Sequence, residues 1–281
     1  MLIFTKIIDL KQFLAQKKQA GKTIGFVATM GALHYGHMEL IRQSRNENSL
    51  TVCSIFVNPT QFNNPKDLEK YPRFIEKDIL MLEENSCDVL FNPQVEEMYL
   101  PNEDLLALDL KNIDKRFEGE FRPGHFAGVA TVVKKFFDIV EPHKAYFGMK
   151  DYQQVLVIKE AVSQYNMPVE VVGVETVRNK EGLAMSSRNY RLSDEELQRA
   201  TVIYKTFTWV KENLKNHTIP ELEKQAVAKI NAVDGAEVEY FSLADANTLD
   251  IIDELKENQQ VVAITAVNMQ GVRLIDNMVL N

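Results

Sequence analysis

The chain is poor in the residues that mark most specialised classes. Among 281 residues there are two cysteines, Cys53 and Cys87. Neither has a C-x-x-C partner, so no disulfide framework is expected, and buried free thiols in the contexts TVCSIFV and SCDVLF fit a reducing compartment. Basic excess is missing too. A formal net charge of −8, spread evenly on either side of residue 176, leaves no basic face for polymeric nucleic acid, although a small anion needs only a few local cations. No apolar run reaches the roughly 18–20 residues of a bilayer span, so no membrane association is expected. The opening stretch MLIFTKIIDLKQFLAQKKQAGK mixes charges into a helix-like segment without a small-residue cleavage pattern. It does not read as a signal peptide, and the default location is the cytoplasm.

What is present is a core-forming composition and a regular alternation. Hydrophobic residues make up 45% of the chain, enough for one large domain or two modest ones. Residues 8–20 place Leu10, Phe13 and Leu14 at helical spacing before Gly21. TIGFVAT (23–29), LTVCSIFV (50–57), CDVLFNP (87–93), KAYFG (144–148) and VEVVGVET (169–176) read as strands. Helical segments separate them, including one over 67–85 broken near Tyr71–Pro72 and others at 127–140 and 151–166. Five strands alternating with helices predict an α/β, doubly wound parallel sheet, Rossmann-like, whose ligands lie beyond the C-terminal strand ends. Near residue 176 the pattern changes. A capping box, Ser193 with Glu196, opens a long amphipathic helix; a second follows at Pro220, then three strand-like runs. The expected division is 1–176, the Rossmann-like α/β domain, and 177–281, a smaller C-terminal α+β domain.

The segments that follow the strands carry the chemistry. TMGALHYGH (29–37) is a glycine-containing turn from strand to helix, which offers backbone N–H groups and the helix dipole to phosphate. His34 and His37 could donate hydrogen bonds there. A zinc site needs more ligands than the scattered His125, His143 and His217 supply, and ordinary helix capping is the remaining alternative. FVNPTQF (56–62) brings the amides of Asn58 and Gln61, suited to a small polar substrate or to plain turn chemistry. YPRFIEKD (71–78) adds Tyr71, Arg73 and Asp78, and FRPGHFAGVATVV (121–133) sets Arg122 and His125 before a small-residue helix start. In YFGMKDYQQV (146–155), Lys150 can place a point charge on phosphate, with Asp151 in the first turn and Gln154 on the same face. GLAMSSRNYRL (182–192) is a polar loop at the domain junction, either a phosphate-closing loop or a linker.

Taken together and in this order, TMGALHYGH, FVNPTQF, YPR, HFAGVATVV, FGMKDYQQ and MSSRN closely resemble the pantoate–β-alanine ligase (pantothenate synthetase) family, over most of residues 20–192. Their type is similar to the wider H-x-G-H nucleotidyltransferases. The resemblance implies an AMP-forming ligase that joins pantoate and β-alanine through a pantoyl adenylate. It implies that Met30, Gly31, Ala32, Leu33, His34, Tyr35, Gly36 and His37 contact ATP, with His34, His37 and Lys150 catalytic and His37 the usual proton donor. Gly148, Met149, Lys150 and Asp151, Val177, and a closing loop of Met185, Ser186, Ser187 and Arg188 would complete the ATP site, the C-terminal domain acting as a lid. Gln61 and Gln154 would bind pantoate and β-alanine, with Asn58 and Tyr71 as further candidates. Mg²⁺ is expected with the nucleotide, Asp78 being a possible indirect partner, and the family suggests a homodimer. Many relatives have glutamate where this chain has Met149, so that side chain takes no ionic role. A nucleotidyltransferase without amide formation and a non-catalytic nucleotide-binding module are the rival readings; paired amides favour the ligase.

Overall fold

The computed structural model describes residues 1–101 and 103–281. The chain forms two compact units, Met1–Met149 with Gln153–Glu175, and Lys150–Tyr152 with Thr176–Asn281.

In the first unit six strands, β1 (Leu2–Phe4), β2 (Ile24–Thr29), β3 (Leu50–Ile55), β4 (Val89–Phe91), β5 (Lys144–Gly148) and β6 (Glu170–Val174), lie in the order β1-β4-β3-β2-β5-β6. Every pairing is parallel. The helices are α1 (Ile7–Gln19), α2 (Tyr35–Glu47), α3 (Pro65–Lys70), α4 (Ile75–Glu84), α5 (Val95–Met98), α6 (Glu118–Phe121), α7 (His125–Val140) and α8 (Tyr152–Gln164).

The expected doubly wound sheet is present with one strand more than the pattern predicts. Among the described residues β1 pairs with β4 at the sheet edge and spans three residues, and its LIF runs without a turn residue into the helix-like stretch that follows. Alternation along the strands sends side chains to both faces. Phe26, Val52, Phe91 and Phe147 meet α1, α7 and α8 on one side; Val27, Cys53, Leu90 and Tyr146 meet α2 and α4 on the other. Phe136 of α7 fixes the first layer, its ring 5.4 Å from Phe26, 6.1 Å from Phe56 and 6.3 Å from Phe91 between centroids. Such pairs add about 0.5–1.5 kcal/mol each beyond the area they bury. Both cysteines are buried and free, and burial pushes the Cys87 thiol up to about 12, which leaves it unreactive. No helix among the described residues is long and apolar enough to cross a membrane.

The second unit has an antiparallel sheet, β7 (Ala236–Asp245), β8 (Val261–Met269) and β9 (Val272–Val279), in sequential order. Three helices, α9 (Asp194–Ala200), α10 (Val202–Asn213) and α11 (Ile219–Asn231), accompany it. Phe207, Leu222 and Ile230 pack with Phe241, Leu243 and Val267 in its core. The Ser193–Glu196 box forms as expected. The single long helix does not. It breaks at buried Thr201, whose hydroxyl donates to the Gln198 carbonyl at 2.7 Å, a local bond that competes with the helical ladder.

Candidate active site

The strand order reverses direction between β2 and β5, so the crevice beyond their C-terminal ends is where a ligand of such a sheet binds. TMGALHYGH begins there. The Thr29 hydroxyl donates to the Ser54 carbonyl at 2.7 Å and accepts the Gly31 N–H at 3.2 Å. Gly31 and Ala32 both have positive φ, +82° and +49°. For Ala32 that conformation costs of order 1 kcal/mol or more and persists only where neighbours enforce it. The enforcing group is Asp78 of α4. Its Oδ2 accepts the Ala32 N–H at 2.9 Å and its Oδ1 accepts the Leu33 N–H at 2.8 Å. Burial pushes the Asp78 carboxyl up, while the two N–H donors pull it back toward ionisation.

Asp78 is therefore occupied with holding the turn. The sequence offers it as a possible metal partner, and the geometry gives both of its oxygens another duty. Asp78→Ala is expected to destabilise the protein by about 2–4 kcal/mol, because each of two buried N–H groups left without an acceptor costs roughly 1–3 kcal/mol. Urea unfolding measures this, and a change below about 0.5 kcal/mol, the size of an ordinary surface substitution, contradicts it.

The two histidines complete the cap of α2. The His34 N–H donates to His37 Nδ1 at 3.2 Å, and the Gly36 N–H donates to His34 Nδ1 at 3.1 Å. The rings lie 4.0 Å apart between centroids. Because each Nδ1 accepts a backbone N–H, the proton of each neutral ring resides on Nε2. The turn thus differs from the expected backbone cradle: the N–H groups of residues 31 to 34 and of Gly36 all have acceptors inside the protein. What the segment offers an anion is two imidazoles and the dipole of α2. Tyr35, between them, is largely exposed.

After β3 comes a loop whose hub is Asn58, 1% exposed. Its Oδ1 accepts the Tyr99 hydroxyl at 2.8 Å, the Thr60 hydroxyl at 3.0 Å and the Thr60 N–H at 3.4 Å. Three donors on one oxygen fix which way the amide faces. Its Nδ2 then donates to Gln61 Oε1 at 3.0 Å and to the Gly128 carbonyl at 3.2 Å. Gln61 is oriented in turn, its carbonyl end engaged and its Nε2 without a protein acceptor among the described residues. The Gln61 main-chain carbonyl is gripped by His125 Nδ1 at 2.9 Å and Arg122 Nη2 at 3.4 Å. Asn58, Arg122 and His125 accordingly place Gln61.

Gly128 explains the small-residue start of α7. A Cβ there would lie 2.5 Å from the Thr60 carbonyl oxygen and 2.9 Å from Gln61 Cα, so only glycine admits the helix this close to the loop. Tyr99 escaped the sequence reading. It lies 41 residues from Asn58, and no local pattern marks it. Burial pushes its phenol up, which keeps the proton it donates. Tyr71 packs edge-on against Phe62 at 5.7 Å. Arg73 donates to the carbonyls of Leu68, Glu69 and Tyr71 and closes the end of α3.

After β5 come Gly148 and Met149. Met149 packs toward the apolar core, with its sulfur over Gly173, where a Cβ would come within 2.5 Å. A side chain so placed is a hydrophobe, and only its backbone lies along the strand end. Of the two glutamines that follow, Gln153 is buried and donates to the carbonyls of Ile113 at 2.5 Å and Arg116 at 2.8 Å. The Gln154 side chain is half-buried and makes no hydrogen bond with the described residues, an open donor and acceptor like the free end of Gln61.

In the second unit Lys150 is half-buried, its Nζ 3.7 Å from Asp151. The Met185 N–H donates to the Val177 carbonyl at 2.9 Å, and Arg178 bridges to Ala184. Ser186 Oγ accepts the Arg188 N–H at 3.2 Å, and Arg188 Nη1 donates to the Arg273 carbonyl at 2.9 Å. The MSSR loop is thus held by its own bonds rather than slack. Among the described residues no group of three or more His, Cys, Asp or Glu side chains could hold a metal ion.

A doubly wound sheet with an H-x-G-H cap at its switch point, and with uncommitted amides after both flanking strands, defines the class: an α/β enzyme that works on a nucleotide and a small polar acid. Within that class the chain belongs to the pantoate–β-alanine ligase family, whose model matches residues 2–279. It is 44% identical over 282 residues to a pantothenate synthetase of Cytophaga hutchinsonii, covering 100% of this chain and 99% of that protein. A pantothenate synthetase of Bacteroides fragilis is 46% identical over 277 residues, 99% of this chain and 98% of that one. The crystal structure of pantothenate synthetase from Thermus thermophilus superposes with a TM-score of 0.91 at 38% identity, covering 99% of both chains. The pantoate–β-alanine ligase of Francisella tularensis, complexed with β-γ ATP and β-alanine, gives 0.79 at 36% identity, covering 99% of this chain and 97% of that one.

Proposed function

We propose that the protein condenses pantoate with β-alanine at the expense of ATP, through a pantoyl adenylate. A carboxylate oxygen of pantoate attacks the α-phosphorus and pyrophosphate leaves. The β-alanine amine then attacks the acyl carbon, AMP departs with the bridging oxygen, and pantothenate is released. The first step is needed because carboxylate is a poor acylating agent at neutral pH. AMP supplies a leaving group.

The observation that carries this reading is Gln61. Its carbonyl end is locked by Asn58, so what it extends is an N–H₂ donor, suited to a carboxylate or hydroxyl oxygen. Gln154 supplies a second amide for the same acid. His34 and His37 act as Nε2–H donors to the phosphate oxygens of ATP. A carboxylate nucleophile has no proton to give, so His37 stabilises charge on the departing pyrophosphate rather than transferring a proton. Lys150 adds a cation there, and Met185, Ser186, Ser187 and Arg188 close on the phosphates. Met30 to Gly36, Gly148, Met149 and Asp151 contact ATP, and Val177 lies along its adenine. Residues 177–281 would serve as the lid.

Mg²⁺ would be carried by the phosphates and its own waters, as that ion usually keeps several waters and takes few protein ligands. A homodimer working in the cytoplasm completes the reading. Without β-alanine, the protein is expected to exchange labelled pyrophosphate into ATP only when pantoate is present; exchange independent of pantoate contradicts the adenylate. Gly128→Ala, which pushes the loop that carries Gln61, is expected to raise the KM for pantoate about tenfold, since displacing a substrate-positioning group by an ångström is costly. Steady-state kinetics decides it, and an unchanged KM contradicts the placement of Gln61.

A further inference from the structure

The second unit contains a buried polar network at β9 that ends on Lys150. Asn277, 6% exposed, donates from Nδ2 to the Lys150 carbonyl at 2.9 Å. Its own N–H donates to Asp276 Oδ1 at 2.8 Å. Asp276, 3% exposed, is held by both terminal nitrogens of Arg178, at 2.6 and 2.9 Å. Arg178 Nη2 also donates to the Asn277 carbonyl at 3.1 Å, its Nη1 to the Gly182 carbonyl at 3.0 Å, and its guanidinium stacks 4.8 Å from the Tyr204 ring centroid. A bidentate arginine–carboxylate pair whose other terminal N–H groups bind main-chain carbonyls is a rigid support. Tyr152 gives a second tether two residues on, its hydroxyl donating to the Ala246 carbonyl at 2.6 Å.

We infer that Asn277 is a positioning residue for Lys150. A lysine ammonium sits on a flexible four-carbon stem, so where its main chain is fixed decides which phosphate oxygen it reaches. Lys150 follows directly on the core-packed Met149, yet its carbonyl is bound from β9. The Arg178–Asp276 pair that orients Asn277 also holds the segment from Val177 to Met185, so one support serves Lys150 and the start of the MSSR loop. This inference rests on Lys150 acting on the phosphates of ATP.

The test is a double-mutant cycle on pantoate-dependent pyrophosphate exchange, with the full-length protein. Lys150→Ala sets the reference loss. Asn277→Ala is expected to lower kcat about 10- to 100-fold, the scale of a misplaced catalytic group, with KM for pantoate unchanged. The double variant should be no slower than Lys150→Ala alone, because Asn277 acts only through that lysine. Asn277→Asp, which keeps the shape and removes the N–H donor, should match Asn277→Ala and serves if that variant fails to fold. Additive losses, or wild-type kcat in a folded Asn277 variant, overturn the inference. A Lys150→Ala protein with undiminished exchange overturns instead the phosphate role of the lysine.

Discussion

His37→Ala is expected to lower the rate of adenylate formation by about 10²- to 10⁴-fold, the range for a single electrostatic or proton-transfer group. Two losses combine. The Nε2–H that the proposed mechanism directs at developing charge would disappear, and the His34 N–H loses the Nδ1 that accepts it. Because the first loss acts on a charge that grows as pyrophosphate departs, kcat should fall with little change in the KM for pantoate. The helix keeps its first-turn bond from the Gly36 N–H to His34, so the fold survives. Pyrophosphate exchange measures the effect, and a rate within about threefold of wild type, far short of that range, removes His37 from the reaction.

The second large effect belongs to Gln61. Gln61→Glu preserves volume and leaves one oxygen to accept the Asn58 Nδ2, but it replaces the open N–H₂ by a carboxylate oxygen facing an anionic substrate. Loss of a donor and like-charge repulsion act together, so kcat/KM for pantoate should fall by about 10³-fold or more, the scale on which a site built around a hydrogen bond rejects the wrong partner. ATP affinity should be nearly unchanged, which separates this outcome from general damage. A Gln61→Glu protein that still uses pantoate at close to the wild-type kcat/KM would falsify the substrate role of the loop.

Strands of five residues or more announce themselves in the sequence through apolar runs and turn residues, and so does the capping box at Ser193. β1 does not: its LIF runs directly into the helix-like stretch that follows, whereas the equally short β4 is set off by Asn92 and Pro93. The break at Thr201 is equally silent: amphipathic spacing continues through it, while in the fold the Thr201 N–H and hydroxyl both turn to the Gln198 carbonyl where α9 ends. Site segments are legible where chemistry and turn geometry coincide, as in TMGALHYGH. Their division of labour is not. Asn58 and Asp78 look in sequence like groups for a ligand, and in the fold both are consumed by the protein, one orienting Gln61 and the other holding Ala32 and Leu33. Tyr99, which bonds Asn58, and Asn277, which bonds the Lys150 carbonyl, reach their partners across 41 and 127 residues. Such long-range bonds follow from packing, which spacing along a chain does not encode.

The central claim is that a carboxylate oxygen of pantoate attacks the α-phosphorus of ATP and leaves with AMP. Pantoate labelled with ¹⁸O in its carboxylate, turned over with ATP, Mg²⁺ and β-alanine, tests it directly by mass spectrometry of the nucleotide product. The account predicts one ¹⁸O in AMP for each pantothenate formed. Label in orthophosphate with ADP as the nucleotide product, or AMP without label, would contradict it.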